Sequence, residues 1–183
     1  MFKNNSAKLL IAALSLVIFS HSIEEAKAEE SDWSKEETRL TREDFIRLYF
    51  ACHLENYQTT EKLKTYFIPN GSPGAAVLYL VKPVVVPESD LPTRADLEGS
   101  LKQKALLYRS HVDQVLKDPS MKKRWPDATP KNNLIIHFVD SHAPKKKTVA
   151  LFVGDKFVFD QDQIKTALEQ VKKRVGETAF YGK

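Results

Sequence analysis

Three short apolar runs near the C-terminus constrain this chain more than any other feature. Leu134–Val139 (LIIHFV), Thr148–Val153 (TVALFV) and Lys156–Phe159 (KFVF) are rich in β-branched and aromatic residues and read as strands. Gly154-Asp155, between the second and third, is a two-residue hairpin signal. The join from Asp140 to Lys147 is too short for a crossover helix, so the first two strands are expected to pair antiparallel. LIIHFV is apolar on both faces, as a central strand should be. Asp160 then caps a final helix with Gln163 at the reciprocal position. Ile164, Leu168, Val171 and Val175 line its buried face, and Gly176 ends it.

This ending, TVALFVGDKFVF followed by a capped helix, resembles the closing unit of thioredoxin-like domains. The likeness stops there. The redox enzymes of that group use a C-x-x-C pair, and Cys52 is the one cysteine here, so the resemblance implies no redox activity. A single cysteine also excludes an intrachain disulfide and zinc sites of the paired-cysteine kind. The fold must stand on its core.

Upstream, helices and one strand alternate. Thr41 and Asp44 form a T-x-x-D start, and Phe45, Leu48, Tyr49 and Cys52 then share one helical face, widened by Ile46 and Phe50. A short second helix is expected over about Thr60–Phe67, before Pro69-Asn70-Gly71 and Pro73-Gly74 break the chain. Ala75–Val86 reads as a strand whose Pro83 half lies at an edge or ends the pairing. Pro87–Pro92 is a linker. Thr93, with Asp96 three residues on, opens the longest helix, and Leu97, Leu101, Ala105, Tyr108, Val112 and Val115 form its apolar stripe. Glu98 with Lys102, and Arg109 with Asp113, are spaced as surface pairs. The expected fold is one α+β domain over residues 41–176, a four-stranded, mostly antiparallel sheet packed against helices. A polar lead-in (29–40) precedes it and a short tail (177–183) follows.

The N-terminus states a destination. Lys3 and Lys8 precede a short apolar run, Leu9–Ser20, and Ala26-Lys27-Ala28 is a small-x-small cleavage site before Glu29. The run is shorter than the roughly 20 residues that span a bilayer. Residues 1–28 therefore read as a cleaved signal peptide, and the mature chain as periplasmic or secreted, without a transmembrane segment. The formal net charge of the chain is +4, and removing 1–28 takes three lysines and two glutamates, leaving +3. Such a charge selects no partner class, and export argues against nucleic acid.

Asp140-Ser141-His142 contains the residue types of a hydrolase triad, but consecutive residues cannot normally aim at one another. They fall where the chain must reverse, and Asp, Ser and Pro144 favour turns. Cys52 and His53 are helical neighbours pointing about 100° apart. His137 interrupts an apolar strand and reads as a core histidine bonded to a neighbouring carbonyl or hydroxyl. His53, His111 and His142 share no metal spacing with it. No glycine-rich phosphate loop is present, and no cofactor is expected. Basic triplets remain: Lys122-Lys123-Arg124, Lys145-Lys146-Lys147 and Lys172-Lys173-Arg174. If the second and third share an edge of the sheet, they form a weak site for anionic surfaces; otherwise they are solvated surface.

The expected function is that of an exported, soluble, non-enzymatic accessory or binding protein of the bacterial cell envelope. Its partner would be another envelope or secreted protein. The alternative is a small secreted hydrolase whose residues converge only in three dimensions, with His137, His53 or Cys52 as candidates. The clearest test concerns the leader: the intact mass of the exported chain should correspond to a start at Glu29. A product that retains Met1 and fractionates with membranes overturns the signal-peptide reading.

Overall fold

In the computed structural model, residues 40–87, 93–143, 147–176 and 180 are described. The chain divides into two units, Met1–Thr41 and Arg42–Lys183, and all the described helices and strands belong to the second. The helices are α1 (Arg42–His53), α2 (Glu55–Glu61), α3 (Arg94–Lys117), α4 (Pro119–Arg124), α5 (Pro130–Asn133) and α6 (Gln161–Val175). The strands are β1 (Lys64–Ile68), β2 (Val77–Val84), β3 (Leu134–Asp140), β4 (Thr148–Val153) and β5 (Lys156–Val158), in one sheet of order β1-β2-β3-β4-β5. The domain is α+β, but its sheet is five-stranded and mixed rather than four-stranded and mostly antiparallel. β2 and β3 run parallel, from Leu78↔Leu134 to Val84↔Asp140, and the other pairs are antiparallel.

The extra strand comes from the stretch expected to be helical over Thr60–Phe67. α2 stops at Glu61 because Lys62 turns left-handed (φ 56) and its N–H bonds back to the Tyr57 carbonyl. Such a stop is usually marked by glycine, so a lysine there hides it. Beyond it, Thr65, Tyr66, Phe67 and Ile68 are residues that suit a strand, and they pair with β2 from Lys64↔Val81 to Ile68↔Val77. β1 therefore has no partner for Pro83, which sits in β2 past the end of that ladder and lacks only a bond that no neighbour requires. Gly154 takes φ 65 in the β4–β5 turn, as a Gly-X hairpin demands, and a Cβ there would meet the Lys131 carbonyl oxygen at 3.0 Å.

Helices cover both faces of the sheet. On one, Val77, Tyr79, Val81, Ile135, Val139 and Leu151 pack against Ile164, Val171 and Val175 of α6. Alternation sends Leu78, Leu80, Leu134, Ile136, Phe138 and Phe152 to the other face. All six are buried, and α1, α3 and α5 contact the sheet. Trp125, fully buried just after α4, meets Phe67 of β1 edge-on at 5.2 Å. This double cover is why β3 is apolar on both faces.

Two local expectations change. The buried side of α1 is Phe45, Ile46 and Phe50, continued by Leu54, so Leu48 is 45% exposed and Cys52 is exposed. The row Ile46-Phe50-Leu54 repeats every four residues and competes with the Phe45–Cys52 row, which sequence spacing alone cannot rank. Arg109 pairs with Asp155 at 2.9 Å rather than with Asp113, which holds Lys117 at 2.6 Å.

α2, β2 and α3 are joined by one carboxylate. Glu61 accepts from Lys104 Nζ at 2.6 Å and from the Tyr108 hydroxyl at 2.5 Å, with Lys82 Nζ at 3.8 Å. Burial raises its pKa, but those two hydrogen bonds and the charges of Lys104 and Lys82 outweigh it and hold the carboxyl below the ordinary glutamate value. Its contribution is thus present above the unfolded pKa and lost as pH falls through the folded one. Tyr108→Phe should cost about 1–2 kcal/mol at pH 7 and less at a second, acid pH that lies below the titration of the folded carboxyl. Urea melts at the two pH values check this; an equal cost at both would show that the phenol does not bond a charged group.

Candidate functional site

The α6 face of the sheet holds one polar residue deep in its core. His137 follows Ile135 and precedes Val139 on the same side of β3, and is 3% exposed. Register puts Tyr79 opposite Ile135, one diagonal step away, and its hydroxyl lies 2.6 Å from His137 Nδ1. The second hydroxyl arrives through an irregularity. Phe138 pairs with Ala150 but Val139 pairs with Thr148, so Val149 is an extra residue in β4. Without that bulge Val149 would face α6 and Thr148 the opposite side. With it, Thr148 Oγ1 stands 2.7 Å from His137 Nε2.

Burial drives the His137 pKa down to about 4, so the ring is neutral at physiological pH. A neutral imidazole has one donor and one acceptor, and a hydroxyl can serve either, so both tautomers are satisfied. When His137 Nδ1 carries the proton, the Tyr79 hydroxyl accepts it and donates its own to the Phe180 carbonyl at 3.2 Å, and the Phe180 ring lies 5.4 Å from that of His137.

This polar chain opens onto a cavity of about 650 Å³ between the sheet and α6. Val81, Pro83, Val139, Ile164, Leu168 and Phe180 give it apolar walls. Lys64, Lys147, Lys165 and Lys172 line it too, with Asp140 as the one carboxylate among the described residues of the lining. At its β1 side β2 runs past the end of the β1 ladder, which leaves Pro83 in the cavity wall without a partner from β1. A second cavity, about 580 Å³, adjoins it across Asp140, Lys147, Thr148 and Gln161, with Arg94, Leu97, Val149 and Phe159 on its far side.

The residues singled out from sequence are scattered. Asp140 Oδ1 accepts from the His142 N–H at 2.9 Å, and the Ser141 N–H and hydroxyl both donate to the Val84 carbonyl. These are turn bonds, and they engage Ser141 with backbone rather than with His142. His53 is exposed, its ring 4.5 Å from that of Tyr49, and its carbonyl is 2.9 Å from His111 Nε2. Cys52, expected on the buried stripe, faces solvent. Among the described residues, no three His, Cys, Asp or Glu side chains are grouped to hold a metal. No described helix is long and apolar enough to cross a membrane.

Lys122 and Lys123 are exposed, and the Arg124 guanidinium lies over the Phe45 ring at 5.0 Å. Lys145 and Lys146, like Ala26, Ala28 and Glu29, lie outside the described residues. Lys147 lies at the Asp140 end of β3, where its carbonyl accepts from the Asp140 N–H. Arg174 reaches the other end, donating to the Asn132 carbonyl, while Lys173 is exposed. Lys172 turns back toward the cavity, its ammonium 5.7 Å from the Phe180 ring centre. Sequence reasoning missed Tyr79, Thr148, Lys64 and Lys165. No periodicity signals a bulge, and these residues meet only through strand register.

No family model, curated protein or solved structure matches the chain. Its chemistry rests on the site alone. A neutral buried ring bonded at both nitrogens holds its neighbours in place and offers no charge to a ligand; the charge lies in the lysines.

The histidine has a measurable consequence. An unfolded chain protonates it near 6.5 and the folded one only near 4, so stability is full above 6.5 and erodes as pH falls between these values, by about 3 kcal/mol in all. His137→Gln should start about 1–3 kcal/mol lower at pH 7 and lose that part of the slope. Denaturant melts from pH 7.5 to 4 on both chains check it; parallel curves would mean that the wild-type ring titrates normally.

Proposed function

We propose that this chain is an exported, non-enzymatic binding protein of the bacterial cell envelope that seats its ligand in the cavity between the sheet and α6. One observation carries the reading. The cavity, about 650 Å³, has the size of a small-molecule site, mostly apolar walls and four lysines in its lining. The leader-like residues 1–28 support export. Another envelope protein would then receive or deliver what the cavity holds.

A small hydrolase is the rival, and it rests on the Thr148 hydroxyl lying 2.7 Å from His137 Nε2 beside the cavity. Two features weigh against it. A ring whose pKa is about 4 is a weak base at neutral pH, and its second partner is a phenol rather than a carboxylate that would stabilise an imidazolium.

Native mass spectrometry of the chain purified from its host tests the binding reading. A bound small molecule should be present, and should be lost from Leu168→Trp, in which the indole fills the cavity while circular dichroism shows an unchanged fold. A mass equal to the bare chain, or an adduct that survives the plug, overturns it.

A further inference from the structure

The cavity divides its chemistry by depth. Val81, Val139, Ile164, Leu168 and Phe180 offer hydrocarbon and aromatic surface. The polar groups among them, His137 and Thr148, are bonded to each other, and His137 is bonded again to Tyr79, so they do not need a ligand to satisfy them. Positive charge comes from Lys64 at the start of β1, Lys147 before β4, and Lys165 and Lys172 on α6. Two of these are already partnered within α6, Lys165 by Asp162 and Lys172 by Glu169, both at 3.1 Å in i,i+3 pairs. Lys64 and Lys147 have no ion pair among the described residues. Asp140 is the opposing charge among the described residues of the lining, and its Oδ1 is engaged by the His142 N–H.

From this arrangement we infer that the ligand is a single anionic amphiphile of the fatty-acid type, its chain against the apolar walls and its carboxylate among Lys64, Lys147 and Lys172. The inference rests on the cavity being the binding site and names the class of ligand that it takes. A free inorganic anion would gain nothing from the apolar walls. A neutral lipid would forgo the attraction of the exposed Lys64 and Lys147 ammoniums. A concave site of about 650 Å³ takes one molecule, and its apolar walls of Val81, Val139, Ile164 and Phe180 are buried where a bilayer surface would not reach them. Surface ion pairs such as those of Lys165 and Lys172 are weak and exchange readily, so a carboxylate arriving between them can compete.

The test uses dodecanoate, dodecan-1-ol and acetate as probes, well below micelle-forming concentrations. Titration calorimetry is run on the wild-type chain, on Lys64→Glu/Lys147→Glu and on Leu168→Trp, with Leu168→Phe as a second, smaller plug should the tryptophan disturb folding. Dodecanoate should bind the wild type, with at least about tenfold loss on double charge reversal. Dodecanol should bind more weakly and be indifferent to the reversal. Both should be lost in the plugged chains, and acetate should not compete. If dodecanol equals dodecanoate and charge reversal changes neither, the anionic class is wrong while the cavity reading stands. Competition by acetate at the same concentration makes the site a simple anion site and overturns the inference. Dodecanoate binding untouched by both plugs overturns the inference and places the ligand outside the cavity. Binding only to anionic vesicles, or to no probe at all, sinks the inference as well, and the native-mass adduct then judges the cavity reading independently.

Discussion

Everything in this domain hangs on the parallel pairing of β2 with β3. The two strands meet along their full length, from Leu78↔Leu134 to Val84↔Asp140, although a long helix and two short ones separate them in the chain. Parallel neighbours need a crossover, and α3 with its capping box at Thr93 and Asp96 is its main part. Once that pairing exists, β1 can add by a hairpin on one side and β4-β5 by a meander on the other. It also fixes polarity. β2, β3 and β5 all end at the same edge of the sheet, so α3 and α6, which follow β2 and β5, both begin there. Side chains from separate parts of the chain are therefore gathered at that edge, and in open α/β sheets the crevice beyond the carboxyl ends of the strands is where ligands collect. Both cavities lie there.

The C-terminal third was legible because its connections are short. A two-residue turn and a turn without room for a helix leave one arrangement for three strands, whatever their side chains do. The capped starts of α3 and α6 were legible for the same local reason: Thr93 and Asp160 accept hydrogen bonds from N–H groups within the next three residues. What stayed hidden depends on distance or on strain. β1 was masked because the helix before it stops at a lysine with positive φ, a conformation that composition does not advertise. The parallel pairing was hidden because nothing local distinguishes a strand with a parallel neighbour from one without. Cys52 was misplaced because two apolar rows on α1 were equally regular, and only the rest of the core decides which row turns inward.

His137 shows how one polar residue can be kept in such a core. An unpaired imidazole buried to this degree would be costly, and here each nitrogen has a hydroxyl partner within 2.7 Å. Those partners come from different strands, Tyr79 from β2 and Thr148 from β4, so the ring ties the parallel and antiparallel halves of the sheet across β3. Thr148 can take part only because Val149 is an extra residue, and the same bulge turns Val149 toward the second cavity. The bulge thus serves both sides at once. It completes the polar chain on the α6 face and supplies an apolar wall on the other.

Charge follows a similar logic, and it separates runs in sequence from patches in space. The Lys172-Lys173-Arg174 run looked like one basic feature, yet Arg174 is used at the Asn132 end of the sheet and Lys172 faces the cavity. A helix turns by about 100° per residue, so three consecutive cations must point three ways, and only residues three or four apart share a side. The cationic lining of the cavity is assembled instead from Lys64, Lys147, Lys165 and Lys172, which belong to three different segments and form no motif. Lys165 and Lys172 are two helical turns apart on α6, Lys64 opens β1, and Lys147 leads into β4. Their convergence is a product of sheet order and helix placement. A patch of this kind is invisible to any reading that scans for runs, and it exists only once the β2–β3 crossover has set which edge each segment reaches.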